Sequence, residues 1–92
     1  MLTLETTTQF RKDYKRASKR GYDLTLLKTV LDTLLSGEPL NARHRDHALT
    51  GDMKKYRECH LQPDWLLVYR KEQDRLILVA HRTGTHADLF GS

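Results

Sequence analysis

The sequence predicts an α+β domain: an antiparallel sheet with an N-terminal helical hairpin packed on one face, in the order β-α-α-β-β-β. Three observations carry this. Two stretches with helical apolar spacing lie between Thr8 and Gly37, joined by a very short link. Three runs of strand composition, divided by turn residues, occupy Tyr56 to Thr83. Between these halves, Asn41 to Met53 is polar and follows neither period. A chain of 92 residues supports one core and no second domain, so a single domain over 1–92 is expected.

The elements follow in order. Leu2 and Leu4 alternate with polar residues, as in a short edge strand. Thr6, Thr7 and Thr8 offer capping oxygens for a first helix. Phe10, Tyr14 and Ala17 share one face of that helix, basic residues cover the rest, and Gly21 ends it. Asp23 caps a second helix, whose wide apolar stripe is Leu24, Leu27, Val30, Leu31, Leu34 and Leu35; Gly37 and Pro39 terminate it. Asn41 to Met53 reads as a loop with one turn of helix. The strands are Tyr56–Leu61, Trp65–Arg70 and Leu76–Thr83, with turns at Gln62-Pro63-Asp64 and Glu72-Gln73-Asp74. Such a sheet leaves its second face partly open, where a small protein can place a site.

Composition narrows the class. Apolar residues make up 38% and charged residues 30%, values of an ordinary globular domain. No apolar run approaches the ~18 residues that span a bilayer. The N-terminus shows no signal peptide, and the single cysteine, Cys59, forms no internal disulfide; a cytoplasmic setting is expected. Lys plus Arg total 16 against 12 for Asp plus Glu, a net charge of +4, which makes nucleic acid or an acidic protein a candidate partner. There is no phosphate-binding glycine loop, dinucleotide fingerprint or serine-hydrolase elbow.

The histidines carry the chemistry. RNA cleavage needs a base for the ribose 2′-hydroxyl, an acid for the leaving 5′-oxygen and positive charge on the phosphate. Histidine titrates near neutrality and serves as either acid or base; arginine forks onto phosphate oxygens. His47, His60, Asp64, Arg82, His86 and Phe90 contain every part that this reaction requires. Strand alternation puts Tyr56, Glu58 and His60 on one face and Arg57, Cys59 and Leu61 on the other. Trp65 and Phe90 are candidates for stacking on unpaired bases; Trp65 serves equally well as a core anchor. His44 and His81 read as inert. A zinc site is disfavoured, because Cys59 and His60 point to opposite faces and the second ligand pair is missing.

Four segments together resemble a known family: His47-Ala48-Leu49-Thr50-Gly51, Tyr56-Arg57-Glu58-Cys59-His60, Pro63-Asp64-Trp65-Leu66-Leu67-Val68-Tyr69, and Arg82-Thr83-Gly84-Thr85-His86-Ala87-Asp88-Leu89-Phe90-Gly91. They are similar to the YafQ-type toxins of the RelE superfamily. The Pro63-Asp64-Trp65 block and the tail from Arg82 to Phe90 are the specific parts; the N-terminal third matches in pattern only. The resemblance implies a ribosome-dependent endoribonuclease of a type II toxin–antitoxin system, cutting mRNA in the ribosomal A site. It implies a cognate antitoxin, the ribosome and mRNA as partners, operator DNA contacted through the antitoxin complex, and neither cofactor nor metal. Carried over by residue, His47, His60, Asp64 and His86 form the acid–base set, with His86 the general acid and the other three sharing the base and orienting roles. Arg82 is the phosphate clamp, and Trp65 and Phe90 shape the pocket or stack on the message. Lys12, Lys15, Arg16, Lys19 and Arg20 on the first helix then have ribosomal RNA to contact, and an acidic antitoxin segment could cover the same surface. The alternative is a non-enzymatic toxin on this scaffold that binds a protein such as gyrase; it would not need the histidine set. A plain RNA-binding module would need only the basic face.

Overall fold

In a computed structural model, which describes residues 1–91 and so leaves Ser92 of the expected domain outside the described residues, the chain forms an α+β fold. Strand β1 (Thr3–Thr6) leads into helices α1 (Thr8–Lys19) and α2 (Leu24–Ser36); strands β2 (His47–Ala48), β3 (Arg57–Gln62), β4 (Trp65–Glu72) and β5 (Ile77–Gly84) follow, then helix α3 (His86–Phe90). The sheet order is β1-β5-β4-β3-β2.

The helix ends form where local chemistry places them. Thr7 Oγ1 accepts from the Phe10 amide at 2.9 Å and donates to the His81 carbonyl at 2.8 Å, capping α1 and tying it to β5. Asp23 caps α2 through the Thr25 amide at 3.0 Å. Gly37 closes α2 with φ 83°, a left-handed conformation that costs glycine little, and the Glu38 amide reaches back to the Thr33 carbonyl. Phe10, Ala17, Leu27, Val30 and Leu34 pack on Cys59, Leu61, Trp65, Leu67, Tyr69, Leu78 and Ala80, all buried. Leu66, Val68, Ile77 and Val79 are buried as well. β4, central in the sheet, is therefore apolar from Trp65 to Tyr69 without alternation.

Three features depart from the sequence reading. The sheet is mixed: β1 runs parallel to β5, pairing Thr3 with Ile77 and Thr6 with Ala80. The expected loop from Asn41 to Met53 contains two single turns of 3-10 helix and the two-residue strand β2, which pairs His47 with Glu58. The expected closing tail is a helix, α3, fastened by a reciprocal box in which Thr85 Oγ1 accepts from the Asp88 amide and Asp88 accepts from the Thr85 amide. Smaller shifts accompany these: Tyr56 precedes β3, and β5 begins at Ile77 because Leu76 makes a left-handed turn at φ 54°.

Candidate active site

The open face of β3 and the N-terminus of α3 converge. Glu58 and His60, two residues apart on β3, point the same way as alternation requires, and β2 lays His47 beside Glu58. Glu58 is buried, with its Oε1 3.6 Å from His60 Nε2 and 3.9 Å from His47 Nε2. His86 opens α3, and its Nδ1 lies 2.6 Å from Asp64 Oδ1, which also accepts the His86 backbone N–H at 2.9 Å. The His60 ring sits 5.8 Å from the His86 ring and 6.4 Å from the His47 ring, between centroids.

These bonds select which ring nitrogen is free. The Asp64 carboxylate accepts only, so His86 Nδ1 carries the proton there and Nε2 is left to exchange one. The two His86 hydrogen bonds, that of the backbone first, hold the Asp64 carboxyl below its ordinary range. His47 Nδ1 lies 2.6 Å from the Arg45 carbonyl, which again accepts only and leaves Nε2 toward Glu58. Glu58, buried between the two histidines, is the cluster residue that sequence reasoning passed over. Its signal was present in the Glu58/His60 alternation on one strand face.

Two irregularities in the sheet bracket the site. β4 pairs Val68 with Arg82 and Tyr69 with Ala80, leaving His81 as the extra residue of a bulge; a second register shift falls between His60 and Gln62. Val68 is paired with Glu58 on one side and Arg82 on the other. Arg82 thus stands two strands from Glu58, about 10 Å at ordinary strand spacing.

Arg82 is held from behind. Its Nε and Nη2 donate to Asp13 at 2.8 and 3.2 Å, and Asp13 also accepts from Gln9, Arg16 and the Thr83 amide. The Asp13 side chain is 1% exposed. Burial pushes its carboxyl up, but the hydrogen bonds from Arg82, Gln9 and Thr83 outweigh this and leave it lowered. A parallel arrangement fixes α3: Asp88 accepts from Arg20 Nη1 at 2.7 Å and Nη2 at 3.2 Å, with Arg16 3.8 Å away. A Cβ on Gly84 would lie 2.9 Å from Asp88 Cβ, so glycine here admits α3 to its seat.

The remaining expected site residues divide. Phe90 is 52% exposed on α3, free to present a ring. Trp65 is corrected: at 2% exposure it packs in the core against the Tyr22 ring, 4.9 Å between centroids, and cannot stack on a base without leaving that core. Lys12, Lys15 and Lys19 are exposed on α1. Arg16 and Arg20, expected on the same RNA-contacting face, are partly exposed and already paired, Arg16 with the Asp13 that holds Arg82 and Arg20 with Asp88 of α3. His81 stacks on Tyr56 at 4.5 Å, and His44 Nδ1 lies 2.7 Å from the His60 carbonyl, so both have structural partners. Cys59 is fully buried, and burial pushes its thiol up to about 12, which makes it a poor metal ligand. Glu58, His60 and His86, which the sequence reading did not combine as ligands, bring ligand atoms within 4.8 Å of one another, a donor set that fits a divalent ion.

With this geometry in hand, comparison with known proteins places the chain. A family model described as bacterial toxin of type II toxin-antitoxin system, YafQ, matches residues 2–91. The mRNA interferase toxin YafQ of Escherichia coli K12 is 45% identical over 89 residues, 96% of this chain and 95% of the relative. A metal-bound toxin from Helicobacter pylori superposes with a TM-score of 0.93 at 46% identity, covering 98% of this chain and all of the other. The E. coli DinJ–YafQ complex gives 0.91 at 41% identity, covering 99% of this chain and 100% of the other. The chain belongs to the YafQ family of type II toxin–antitoxin toxins.

Proposed function

We propose that this chain is an mRNA interferase: an endoribonuclease that cuts mRNA in the ribosomal A site by acid–base catalysis and is neutralised by a cognate antitoxin. The observation that carries the reading is the Asp64-oriented His86 ring, 5.8 Å from a His60 that shares buried Glu58 with His47. The E. coli relatives, an mRNA interferase by name and a toxin in complex with DinJ, support both halves of the proposal.

His86 Nε2 protonates the leaving 5′-oxygen while Asp64 keeps Nδ1 occupied. One of His47 and His60, which lie on either side of Glu58, takes the proton of the attacking 2′-hydroxyl, and Glu58 holds the positive charge that results. The products are a 2′,3′-cyclic phosphate and a 5′-hydroxyl. Arg82, aimed by Asp13, meets the negative charge that builds on the phosphate. Phe90 offers a stacking ring, and the α1 lysines contact ribosomal RNA phosphates. Side chains supply the base, the acid and the cation. A divalent ion at Glu58, His60 and His86 would occupy the atoms between which the reaction moves protons, so such an ion is expected to inhibit.

Cleavage of a defined mRNA on programmed ribosomes by the wild type and His86→Ala is the test. His86 is exposed, so truncation spares the core. Cuts at A-site codons by the wild type, reduced about 10²–10⁴-fold in the variant, are expected. Equal cleavage by both removes His86 from the mechanism, and no cleavage by either refutes the nuclease reading in favour of a protein target.

A further inference from the structure

Beyond the catalytic cluster, a cavity of about 560 Å³ opens on the outer side of β3, between the Ala42–His44 turn, the start of α2 and the β3–β4 turn. Arg43, Arg45 and Gln62 line it with Leu26, Pro63 and catalytic His60; no carboxylate is among its lining residues. Its size is that of a small-ligand pocket. The turn is built into the site: His44 bonds the His60 carbonyl, and the Arg45 carbonyl orients His47. Arg45 adopts φ 49°, a left-handed conformation uncommon for any residue but glycine, so the arginine is held there against a local cost. Arg82 lies across β4 from the cluster and meets the scissile phosphate from that side, while the cavity lies on the opposite side, so a strand cut at His60 and His86 passes from the cluster onto further cationic contacts.

We propose that this cavity is a nucleotide subsite: it takes the RNA nucleotide next to the cleaved bond, its phosphate on Arg43 and Arg45 and its base against Leu26 and Pro63. The proposal rests on the nuclease reading above. RNA is favoured over an acidic peptide because the cavity shares His60 with the cluster, and any RNA cut there must continue past it.

The experiment is a protein–substrate double-mutant cycle on programmed ribosomes. One partner is the wild type or an Arg43→Ala/Arg45→Asn variant, asparagine being tolerated at the left-handed position. The other is an mRNA with a single neutral methylphosphonate linkage placed in turn on each side of the cut. The expected result is a concentration for half-maximal cleavage raised about tenfold in the variant, with the saturating rate within about twofold. One flanking linkage should weaken the wild type similarly and leave the variant unaffected, and Arg43→Lys/Arg45→Lys should recover part of the loss. Equal sensitivity of both proteins to every linkage, which a contact to ribosomal RNA would give, overturns the proposal. So does unchanged cleavage in a variant that escapes antitoxin inhibition, which would assign the cavity to a peptide. No cleavage of the unmodified message by the wild type overturns the nuclease reading first, and the subsite with it.

Discussion

Replacing Arg82 with alanine should cost stability as well as activity, and the stability loss should depend on pH. The Asp13 side chain is 1% exposed and accepts five hydrogen bonds, two of them from Arg82. Breaking a buried ion pair by deleting one member typically costs about 3–5 kcal/mol. Here Arg16 remains 3.1 Å away, and Gln9 and the Thr83 amide still donate. The residual cost is therefore about 2–3 kcal/mol, a fall in Tm of roughly 10–20 °C for a domain of this size. The Asp13 carboxyl is lowered on folding, so its stabilisation is fully present above the unfolded value near 3.8 and is lost as pH falls through the folded value. Arg82→Ala removes the strongest of the hydrogen bonds that produce that lowering. The gap between wild type and variant should be full at pH 7 and narrow below about pH 4 as the carboxyl protonates. Urea unfolding of both proteins at pH 7, 5 and 3 measures this. A difference below about 0.5 kcal/mol at pH 7, or one that stays constant down to pH 3, would refute the buried-pair reasoning. Activity of Arg82→Ala has to be read well below its own melting temperature, and Arg82→Lys should restore charge without the two-pronged contact to Asp13.

Asp64→Asn should lower the cleavage rate about 10–100-fold with the melting temperature nearly unchanged, because the exposed carboxylate orients His86 and carries no core; an unaltered rate would assign orientation elsewhere. Trp65→Phe should cost little, since the indole nitrogen is buried without a hydrogen-bond partner among the described residues. Trp65→Ala should cost about 3–5 kcal/mol in denaturant unfolding, and an active, fully stable Trp65→Ala would return Trp65 to the substrate. Protein stripped with EDTA and freed of chelator before it meets the ribosomes should cleave as well as untreated protein, while micromolar Cu²⁺ or Zn²⁺ suppresses cleavage through Glu58, His60 and His86; activity lost on stripping and regained with added ion would make the ion a participant.

What could be read from the sequence was local or carried by motif. A cap from the Thr6–Thr8 run, which is Thr7, the cap at Asp23, the stop at Gly37 and the apolar stripe of α2 are short-range hydrogen-bonding and periodicity signals, and each appears within the expected positions. The motif segments brought His47, His60, Asp64, Arg82 and His86 forward, and the structure gathers all but Arg82 into one cluster, with Arg82 two strands away from Glu58. Glu58 was within reach of the same strand alternation that flagged His60. Only the tertiary structure decided the rest. The parallel β1–β5 pairing joins residues more than 70 positions apart, and no local pattern distinguishes it from an antiparallel edge. β2 is two residues long and exists by pairing with β3, and α3 is one short helix held by Asp88 against Arg20. Trp65 became a core residue because β4 is central, and Arg16 and Arg20 became anchors because buried or capping carboxylates from distant segments meet them. Periodicity records which face of an element is apolar. Which charge meets which is settled by the packing of elements that lie far apart in the chain.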